Sequence, residues 1–448
     1  MKSRVAYLAK NILHLGEKLG ANEVEVYIDE TRLRNIALVK GIETLSSSFI
    51  TGLGVRIVSE KRVGLSSTSL LTREAGEQTT RRAYSMAKVS PPNNDWVSLA
   101  KKTGSIDVEG VFDPEIENLE PENMSEAALE MLGTVSERDS DLFVARGTIQ
   151  TGVKTTTIVN NYGQELERKE SFASTYVTVG SSIPGDKSLG NEAGETHIWR
   201  DLNVEGISRD ASERAITAKK ARPIPSTSIP IIWRNKLFAN VLSIMFGGTL
   251  SADAVQKKRS PWGGKIGSEI ASASFTLGDE GSVSFGIGTR QFDDEGVPQR
   301  TVSLIKDGIL KGYIYDTFTA NKDGIESTGN ASRTYDSPPR PSPNNLYLSS
   351  GKMSLNEILK ETRNGLYLQE LIGLWLSNPV SGYLGATVAN GSLVEDGEVT
   401  HPVKGVLISG NFFDIMKNGM DMIGQDVDHS GGSYSPTVRV ASMSVTPQ

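Results

Sequence analysis

A proline-rich segment at residues 221–230 divides the sequence into two unequal parts. It contains Pro223, Pro225 and Pro230, three prolines within eight positions. Proline lacks the backbone N–H that a helix needs, and it restricts the preceding residue to extended conformations. The segment therefore predicts an extended linker, and a separate domain is expected over residues 231–448.

The region before the linker shows helical and strand patterns in two successive parts. Apolar residues recur at steps of three and four between positions 5 and 19, and residues 23–28 alternate with period two. These patterns predict a helix followed by a strand. Pro91 and Pro92 end the regular secondary-structure pattern of the first part after about 90 residues. We therefore predict one α+β domain at residues 1–90 and a second at residues 95–220.

The region after the linker is dominated by strand patterns. The candidate strands are residues 277–285, 301–305, 309–315, 405–409 and 438–445. Asp307-Gly308 is typical of a hairpin turn between two of them. Helical patterns are few there. The predicted fold class is α+β, with an N-terminal α+β region in two parts followed by a strand-rich C-terminal domain that carries a few helices.

Composition excludes several classes of function. The chain has no cysteine, which excludes thiol nucleophiles, disulfides, zinc ribbons and iron–sulfur clusters. The 47 basic residues are outnumbered by 54 acidic ones, giving a net charge of −7, which argues against a nucleic-acid partner. The apolar runs are too short or too polar to span a membrane. We expect a soluble, cytoplasmic protein with no membrane partner.

One run of acidic residues could carry chemistry. Asp293, Asp294 and Glu295 precede Gly296 and a strand pattern. Such a cluster could share a proton or bind a divalent cation. The favoured interpretation is a turn whose acidic side chains face water.

A second candidate lies near the C-terminus. Asp426, Asp428 and His429 form the one local cluster that could serve as a fallback metal site. Because glycines surround the cluster and a catalytic zinc requires about three protein ligands, a solvated loop is the favoured interpretation.

Several longer sequence motifs, in a fixed order, resemble the motifs of one known family. They are Gly52-Leu53-Gly54-Val55-Arg56 and the segments at 294–298, 304–313, 327–333, 341–348, 378–382 and 402–411. Together they resemble the TldD/PmbA family of metallopeptidase-related proteins across nearly the whole chain. The label "modulator of DNA gyrase" is also associated with this family.

The resemblance implies a peptidase built from two kinds of subunit. A TldD-type subunit holds one metal, expected to be zinc, through His-Glu-x-x-x-His and a later Cys, and a PmbA-type (TldE) subunit lacks these ligands. In the present chain Ser243, Ile244 and Gly248 occupy the positions of the first His, the Glu and the second His. These residues cannot replace three strong zinc ligands and a general base. We therefore predict the PmbA type, with no catalytic residue and no cofactor in this chain and with zinc in the partner.

Three functional hypotheses follow. The first is a non-catalytic subunit that completes the peptide-processing complex with a TldD-like partner, or forms a homodimer in its absence. The second is a stand-alone peptidase that uses one of the carboxylate clusters. The third is a homodimeric peptide-binding protein without catalysis. For a peptide added as an extra strand, Asn330, Arg333 and Asn378 are the predicted substrate-binding residues.

Overall fold

The computed structural model describes residues 4–101, 103–185 and 188–447. Within these ranges, no helix is both long and apolar enough to cross a membrane. The helices are α1 Arg4–Lys18, α2 Arg73–Val89, α3 Pro114–Glu117, α4 Pro121–Arg138, α5 Val204–Ala218, α6 Asn235–Phe246, α7 Ala252–Gln256, α8 Thr317–Asp323, α9 Leu355–Thr362 and α10 Phe412–Asp414. A short π-helical segment, Ile415–Gly419, follows α10.

The first half of the chain forms one antiparallel sheet of six strands. These are β1 Glu23–Leu38, β2 Ile42–Ser59, β3 Arg62–Thr68, β4 Leu142–Asn160, β5 Glu165–Ser181 and β6 Leu189–Thr196. Their order is β3-β2-β1-β4-β5-β6, so β1 pairs with β4 across the segment where the sequence predicts a domain boundary. The predicted parts at 1–90 and 95–220 therefore share a continuous sheet.

Helices cover one face of this sheet in two groups. α1 and α2 pack over one end through apolar residues such as Ile12, Val26 and Val55. α4 and α5 pack over the other end, where Met131 and Ile149 are fully buried. Burial of such apolar stripes is the main source of stability for amphipathic helices of this length. The opposite face of the sheet contacts the C-terminal domain.

The C-terminal domain contains two larger sheets. Its strands are β7 Thr227–Trp233, β8 Leu277–Glu280, β9 Thr301–Lys306, β10 Ile309–Leu310, β11 Ala331–Ser332, β12 Arg340–Pro341, β13 Leu346–Leu348, β14 Gly365–Ile372, β15 Tyr383–Glu395, β16 Glu398–Val403, β17 Val406–Asn411, β18 Met420–Ile423, β19 Asp428–Ser430, β20 Ser433–Ser435 and β21 Val438–Pro447. One sheet has the order β14-β7-β21-β17-β15-β16, and the additional pairing of β14 with β15 closes it on itself. The other has the order β10-β9-β8-β13-β20-β19.

α6 lies at the centre of the C-terminal core. Its Phe238, Leu242 and Phe246 are fully buried, together with apolar residues of both sheets. Phe246 makes an edge-to-face contact with Phe412, with 5.4 Å between ring centroids. The predicted α+β class is confirmed, including the strand-rich C-terminal domain with few helices.

Gly54 on β2 marks a place where the C-terminal domain approaches the first sheet closely. A Cβ atom built on Gly54 would lie 2.0 Å from the main-chain carbonyl oxygen of Tyr335. Because that neighbour is backbone, the clash could be relieved only by moving the two domains apart.

We predict that Gly54→Ala lowers the free energy of unfolding by about 1–3 kcal/mol, as expected for overpacking. Gly133→Ala is the matched control, because a Cβ on this α4 residue meets no atom within 4 Å and alanine favours the helix. Chemical denaturation of both variants measures the effect. Equal stability of the two variants would contradict the proposed close approach.

Candidate functional site

A network of buried charges joins the first sheet to the C-terminal domain. Glu25 on β1 accepts hydrogen bonds from Arg56 on β2, with Nη2 2.9 Å from Oε2, and from Arg333, with Nη1 2.6 Å from Oε1. Arg56 also donates to Glu295 at 3.1 Å. Burial alone would raise the pKa of Glu25, but Arg333 and Arg56 outweigh it and hold the pKa below its usual value. Glu25 is therefore ionised and paired with both arginines.

A second cluster adjoins the first. Arg168 on β5 donates to Asp294 at 2.6 Å, and the hydroxyl of Tyr27 donates to the same carboxylate at 3.1 Å. Asp294 also accepts the main-chain N–H of Arg333 at 2.9 Å. Burial opposes ionisation of Asp294, yet Arg168 and Arg290 lower its pKa far below the usual range.

The prediction that Asp293, Asp294 and Glu295 face water is wrong. Their exposures are 0%, 1% and 1%. Asp293 accepts main-chain N–H groups of Glu295, Val297 and Ala331 at 2.9–3.0 Å. Burial and the neighbouring charge of Glu295 raise the pKa of Asp293. The oxygens that could have bound a cation are used to fix the loop against the first sheet.

The structure also corrects the predicted roles of Asn330 and Arg333 in contacting peptide. Asn330 is fully buried and donates to Asp279 at 2.5 Å and to the Ser342 carbonyl at 3.1 Å. Arg333 lies over the ring of Tyr27, 4.2 Å from its centroid, and pairs with Glu25 as described. In this conformation neither side chain is accessible to a peptide. Arg333 instead belongs to the interdomain charge network, and Asn330 is held by partners within the C-terminal domain.

Asn378 is exposed, as a binding residue would be. Its side-chain oxygen accepts the main-chain N–H groups of Val380 and Ser381 at 2.9 and 3.1 Å. This arrangement shapes the turn between β14 and β15.

A cleft of about 1170 Å³ lies between the first sheet and the C-terminal domain. Its floor is formed by polar residues of β4, β5 and β6, including Gln150, Tyr176 and Asn191. Its opposite wall is formed by Leu371, by Trp375 and by the first turns of α6. A mixed cleft of this kind, with apolar walls and a few polar groups, is the usual form of a ligand site.

One edge of β14 is available to a ligand in this cleft. β7 pairs with β14 only through Leu368, whereas Gln369–Ile372 continue alongside β15 and line the cleft. Their other edge has no partner strand among the described residues. Unpaired main-chain groups of this kind can bind an extended peptide regardless of its side chains.

Glu192 closes one side of the cleft and joins three elements. It pairs with Arg214 on α5, with Arg234 at 2.6 Å and with Lys236 on α6 at 3.2 Å. Burial would raise the pKa of Glu192, but these three cations lower it to about 2. The carboxylate therefore holds α5 and the start of α6 against β6.

The positions of the family's metal-binding pattern lie in the last turn of α6 and just after it. Asn240 lines the cleft, and Ser243 follows it by one turn and is exposed. Ile244 is half-buried and packs against the C-terminal core. Gly248 is exposed, and a Cβ there would meet no atom within 4 Å. The surface beside Ser243 and Gly248 is therefore accessible to a ligand, but the side chains at these positions are not metal ligands.

The C-terminal candidate metal residues point to different partners. Asp426 accepts the Thr437 hydroxyl at 2.6 Å, while Asp428 accepts the main-chain N–H of His429 at 2.8 Å. The His429 ring packs against Tyr434 and borders the cleft. Across the described residues, no group of three or more His, Cys, Asp or Glu side chains is arranged to hold a metal ion.

Sequence reasoning missed the cleft because its lining residues come from positions 148 to 430 and form no local motif. The available signal was indirect. Trp375 is a large apolar residue directly before the turn-forming residues Ser377, Asn378 and Pro379, and a tryptophan next to a surface turn is typical of a contact surface.

Three family models match successive parts of the chain. They are described as PmbA/TldA metallopeptidase domain 1 at residues 24–87, the central domain at 114–219 and the C-terminal domain at 226–447. The chain belongs to the PmbA/TldD family of metallopeptidase-related proteins, as its sequence motifs predicted.

Individual relatives extend over almost the full length. An uncharacterized protein of Methanocaldococcus jannaschii is 26% identical over 429 residues, which cover 96% of this chain and 97% of the relative. A metalloprotease PmbA homologue of Haemophilus influenzae is 22% identical, covering 97% of this chain and 94% of the relative.

Solved structures agree with this assignment. A Thermotoga maritima protein, described as a candidate modulator of a DNA gyrase, has a TM-score of 0.88 at 25% identity, covering 98% of this chain and 99% of that one. TldE of Thermococcus kodakarensis has a TM-score of 0.89 at 24% identity, covering 98% and 100%. The second likeness concerns the fold alone.

We predict that Glu192→Gln lowers the free energy of unfolding by about 3 kcal/mol at pH 7, since the native pKa of about 2 lies well below the unfolded value near 4.5. A depressed carboxylate pKa stabilises the fold above the unfolded pKa and loses this effect as the pH falls. The difference between variant and parent should therefore shrink below pH 4.5, to less than half of its pH 7 value at pH 3.

Glu205→Gln is the control for this measurement. Glu205 pairs with Arg209 on the exposed surface of α5, where an ion pair contributes little. Denaturant titrations at both pH values provide the data. A Glu192 variant that differs from its parent by the same amount at pH 7 and pH 3 would contradict the assignment.

Proposed function

We propose that this chain is the non-catalytic, PmbA/TldE-type subunit of an intracellular TldD/TldE-type metallopeptidase complex that processes peptides. The observation that carries the proposal is the side-chain set at the ligand positions of α6. Ser243, Ile244 and Gly248 offer one hydroxyl where the active pattern has two imidazoles and a carboxylate. A catalytic zinc requires about three strong protein ligands, which these positions lack.

The partner in this proposal is a TldD-like subunit that supplies the zinc and the general base. Relatives that carry the TldD name share the family with those called PmbA; a TldD homologue of Haemophilus influenzae is 29% identical over 218 residues. A subunit without ligands has a role in catalysis only if it shapes the substrate site or stabilises the catalytic chain.

The cleft supports a role in holding the peptide. The unpaired edge of β14 offers main-chain hydrogen bonds that are independent of substrate sequence. The exposed ring of Trp375 offers apolar surface to a side chain. Because Asn240 lines the cleft and Ser243 lies one turn further, a bound peptide would extend towards the face of α6 where an active family member holds its metal.

A homodimeric peptide-binding protein is the second candidate, favoured by the presence of this cleft without a ligand set. A stand-alone peptidase based on Asp293, Asp294 and Glu295 is disfavoured, because their oxygens are buried and occupied by arginines and main-chain N–H groups.

Metal content and cleavage distinguish these candidates. We expect the purified chain to contain no stoichiometric zinc and to cleave no peptide, and we expect cleavage when it is mixed with a partner that bears His-Glu-x-x-x-His. Elemental analysis after dialysis against a weak chelator, together with a fluorogenic peptide assay, makes the measurement. About one zinc per chain, or cleavage by the pure chain, would disprove the non-catalytic assignment.

Peptide capture in the cleft has its own test. We predict that Trp375→Ala raises KM in the mixed complex by about tenfold, the effect of losing roughly 1.4 kcal/mol of apolar contact with the peptide. Leu376→Ala is a matched control, because Leu376 is 72% exposed and Trp375 71%, but only Trp375 lines the cleft. Identical KM values for the two variants would exclude this wall from substrate binding.

A further inference from the structure

Glu370 is a half-buried carboxylate of the cleft that forms no ion pair with a cation of the described residues. It lies on β14, and its oxygens accept hydrogen bonds from the main-chain N–H and the side-chain amide of Asn191 on β6. An amide donor carries no net charge, so it does not neutralise a carboxylate. Burial raises the pKa of Glu370, and Asn191 and the charge of Arg214 offset this only in part.

The cations that line the same cleft are already engaged. Three of them pair with the carboxylate of Glu192: Arg214, Arg234 and Lys236. Lys404 donates to the carbonyl oxygen of Ala218 at 3.2 Å. Ala218 is the last residue of α5, and a positive charge is favourable at the C-terminal end of a helix. Moving any of these cations to Glu370 would weaken an existing interaction, so a ligand is the natural source of positive charge for Glu370.

An irregularity of β14 turns consecutive side chains into the cleft. Leu368 pairs with Gly391 on β15. The next pair joins Glu370 to Asn390, so Gln369 is an extra residue on β14. Side chains alternate between the two faces of a regular strand, whereas a bulge re-aims them. Both Gln369 and Glu370 line the cleft as a result, at the start of the unpaired edge of β14.

Gln369 adds a second acceptor that lacks a donor. Its Oε1 is buried and receives no hydrogen bond within the part of the chain that the structure describes. A buried acceptor in this state costs free energy until a donor is supplied. Because the terminal torsion of a glutamine is soft, the amide of Gln369 can turn its oxygen towards a donor in the cleft.

An ammonium group matches both unmet requirements. It carries three N–H donors and a positive charge, so it can donate to Gln369 and neutralise Glu370 at the same time. A neutral amide can supply only the hydrogen bonds. We propose that the cleft selects peptides by an ammonium group, which Glu370 and Gln369 bind. This inference rests on the proposed function, since it concerns what the peptide-holding cleft recognises.

Two parts of a peptide carry this group: the amino terminus and the side chain of lysine. A lysine opposite Glu370 on an added strand would form a cross-strand charge pair, and the peptide would continue past it in both directions. An amino terminus at the same place would begin the added strand there. The chemistry of the contact is the same in both cases.

Peptide binding to the full-length chain alone tests the ammonium site. The probe is a short uncharged peptide with a fluorophore at its carboxyl end. It is made in three forms: with a free amino terminus, acetylated, and acetylated with one central lysine. Fluorescence anisotropy gives a Kd for each form. We expect at least one ammonium-bearing form to bind about tenfold more tightly than the acetylated uncharged form, as for a hydrogen bond between charged groups. The form that gains identifies the source of the ammonium group.

Glu370→Gln removes the charge and keeps an oxygen that can accept from Asn191. We expect this variant to lose the preference for the ammonium-bearing form. We also expect it to bind the acetylated uncharged peptide as the parent does, which shows that it is folded. Glu361→Gln is the matched control, because it removes the same charge at an exposed position of α9 that does not line the cleft. Its preference should equal that of the parent.

Equal Kd values for the three peptides would overturn the ammonium site, as would a preference that Glu370→Gln retains or the absence of any binding. None of these results would refute the proposed function, provided that the mixture with a TldD-like partner cleaves peptides. Stoichiometric zinc in the pure chain, or cleavage by it, would refute the proposed function whatever the three Kd values are.

Discussion

The arrangement of the two halves of this protein depends on the buried carboxylate of Glu25 between Arg56 and Arg333. Removing one partner from such a pair leaves an uncompensated charge in the interior, at a cost of about 3–5 kcal/mol. The interaction does more than add stability. It requires the loop that carries Arg333 to meet the first sheet at one place and in one orientation, because a guanidinium binds a carboxylate through a fixed geometry.

The cleft follows from this constraint. Its floor belongs to the first sheet and its walls to the C-terminal domain, so its width is set by how the two are held together. The charge network fixes them near β1 and β2, and Glu192 fixes them again at the opposite edge of the sheet through Arg234 and Lys236. A cleft held at both ends can keep its shape without a bound ligand, which lowers the entropic cost of binding an extended peptide.

Local signals in the sequence predicted local structure well. The helical pattern at 5–19 corresponds to α1, and Asp307-Gly308 forms the turn between β9 and β10 with positive φ at both residues. The predicted strand at 23–28 is the start of a longer strand, β1, because the polar middle of β1 is supported by pairing with β2 and β4 on both sides. Pairing partners of this kind are distant in sequence and leave no periodic signal in the strand itself.

The same reason explains the errors at the candidate site. Asp294 resembles a solvated turn residue when its neighbours in sequence are considered, whereas its partner Arg168 is 126 residues away. The sequence alone contains both charges but not their contact. A run of acidic residues beside Gly and Pro is therefore ambiguous until the arginines that neutralise it are located.

The exposure of the residues on and after α6 bears on the proposal that this chain lacks catalytic residues. The core side of the helix, with Phe238, Leu242 and Phe246, is fully buried and constrained by packing. Ser243 and Gly248 are exposed, and the space beside Gly248 is empty rather than filled by a compensating side chain. Substitutions at such positions cost little stability, because they disturb neither packing nor buried hydrogen bonds. The ligands can therefore be absent while the helix, the cleft beside it and the interdomain charge network remain, which are the features that a peptide-holding subunit needs.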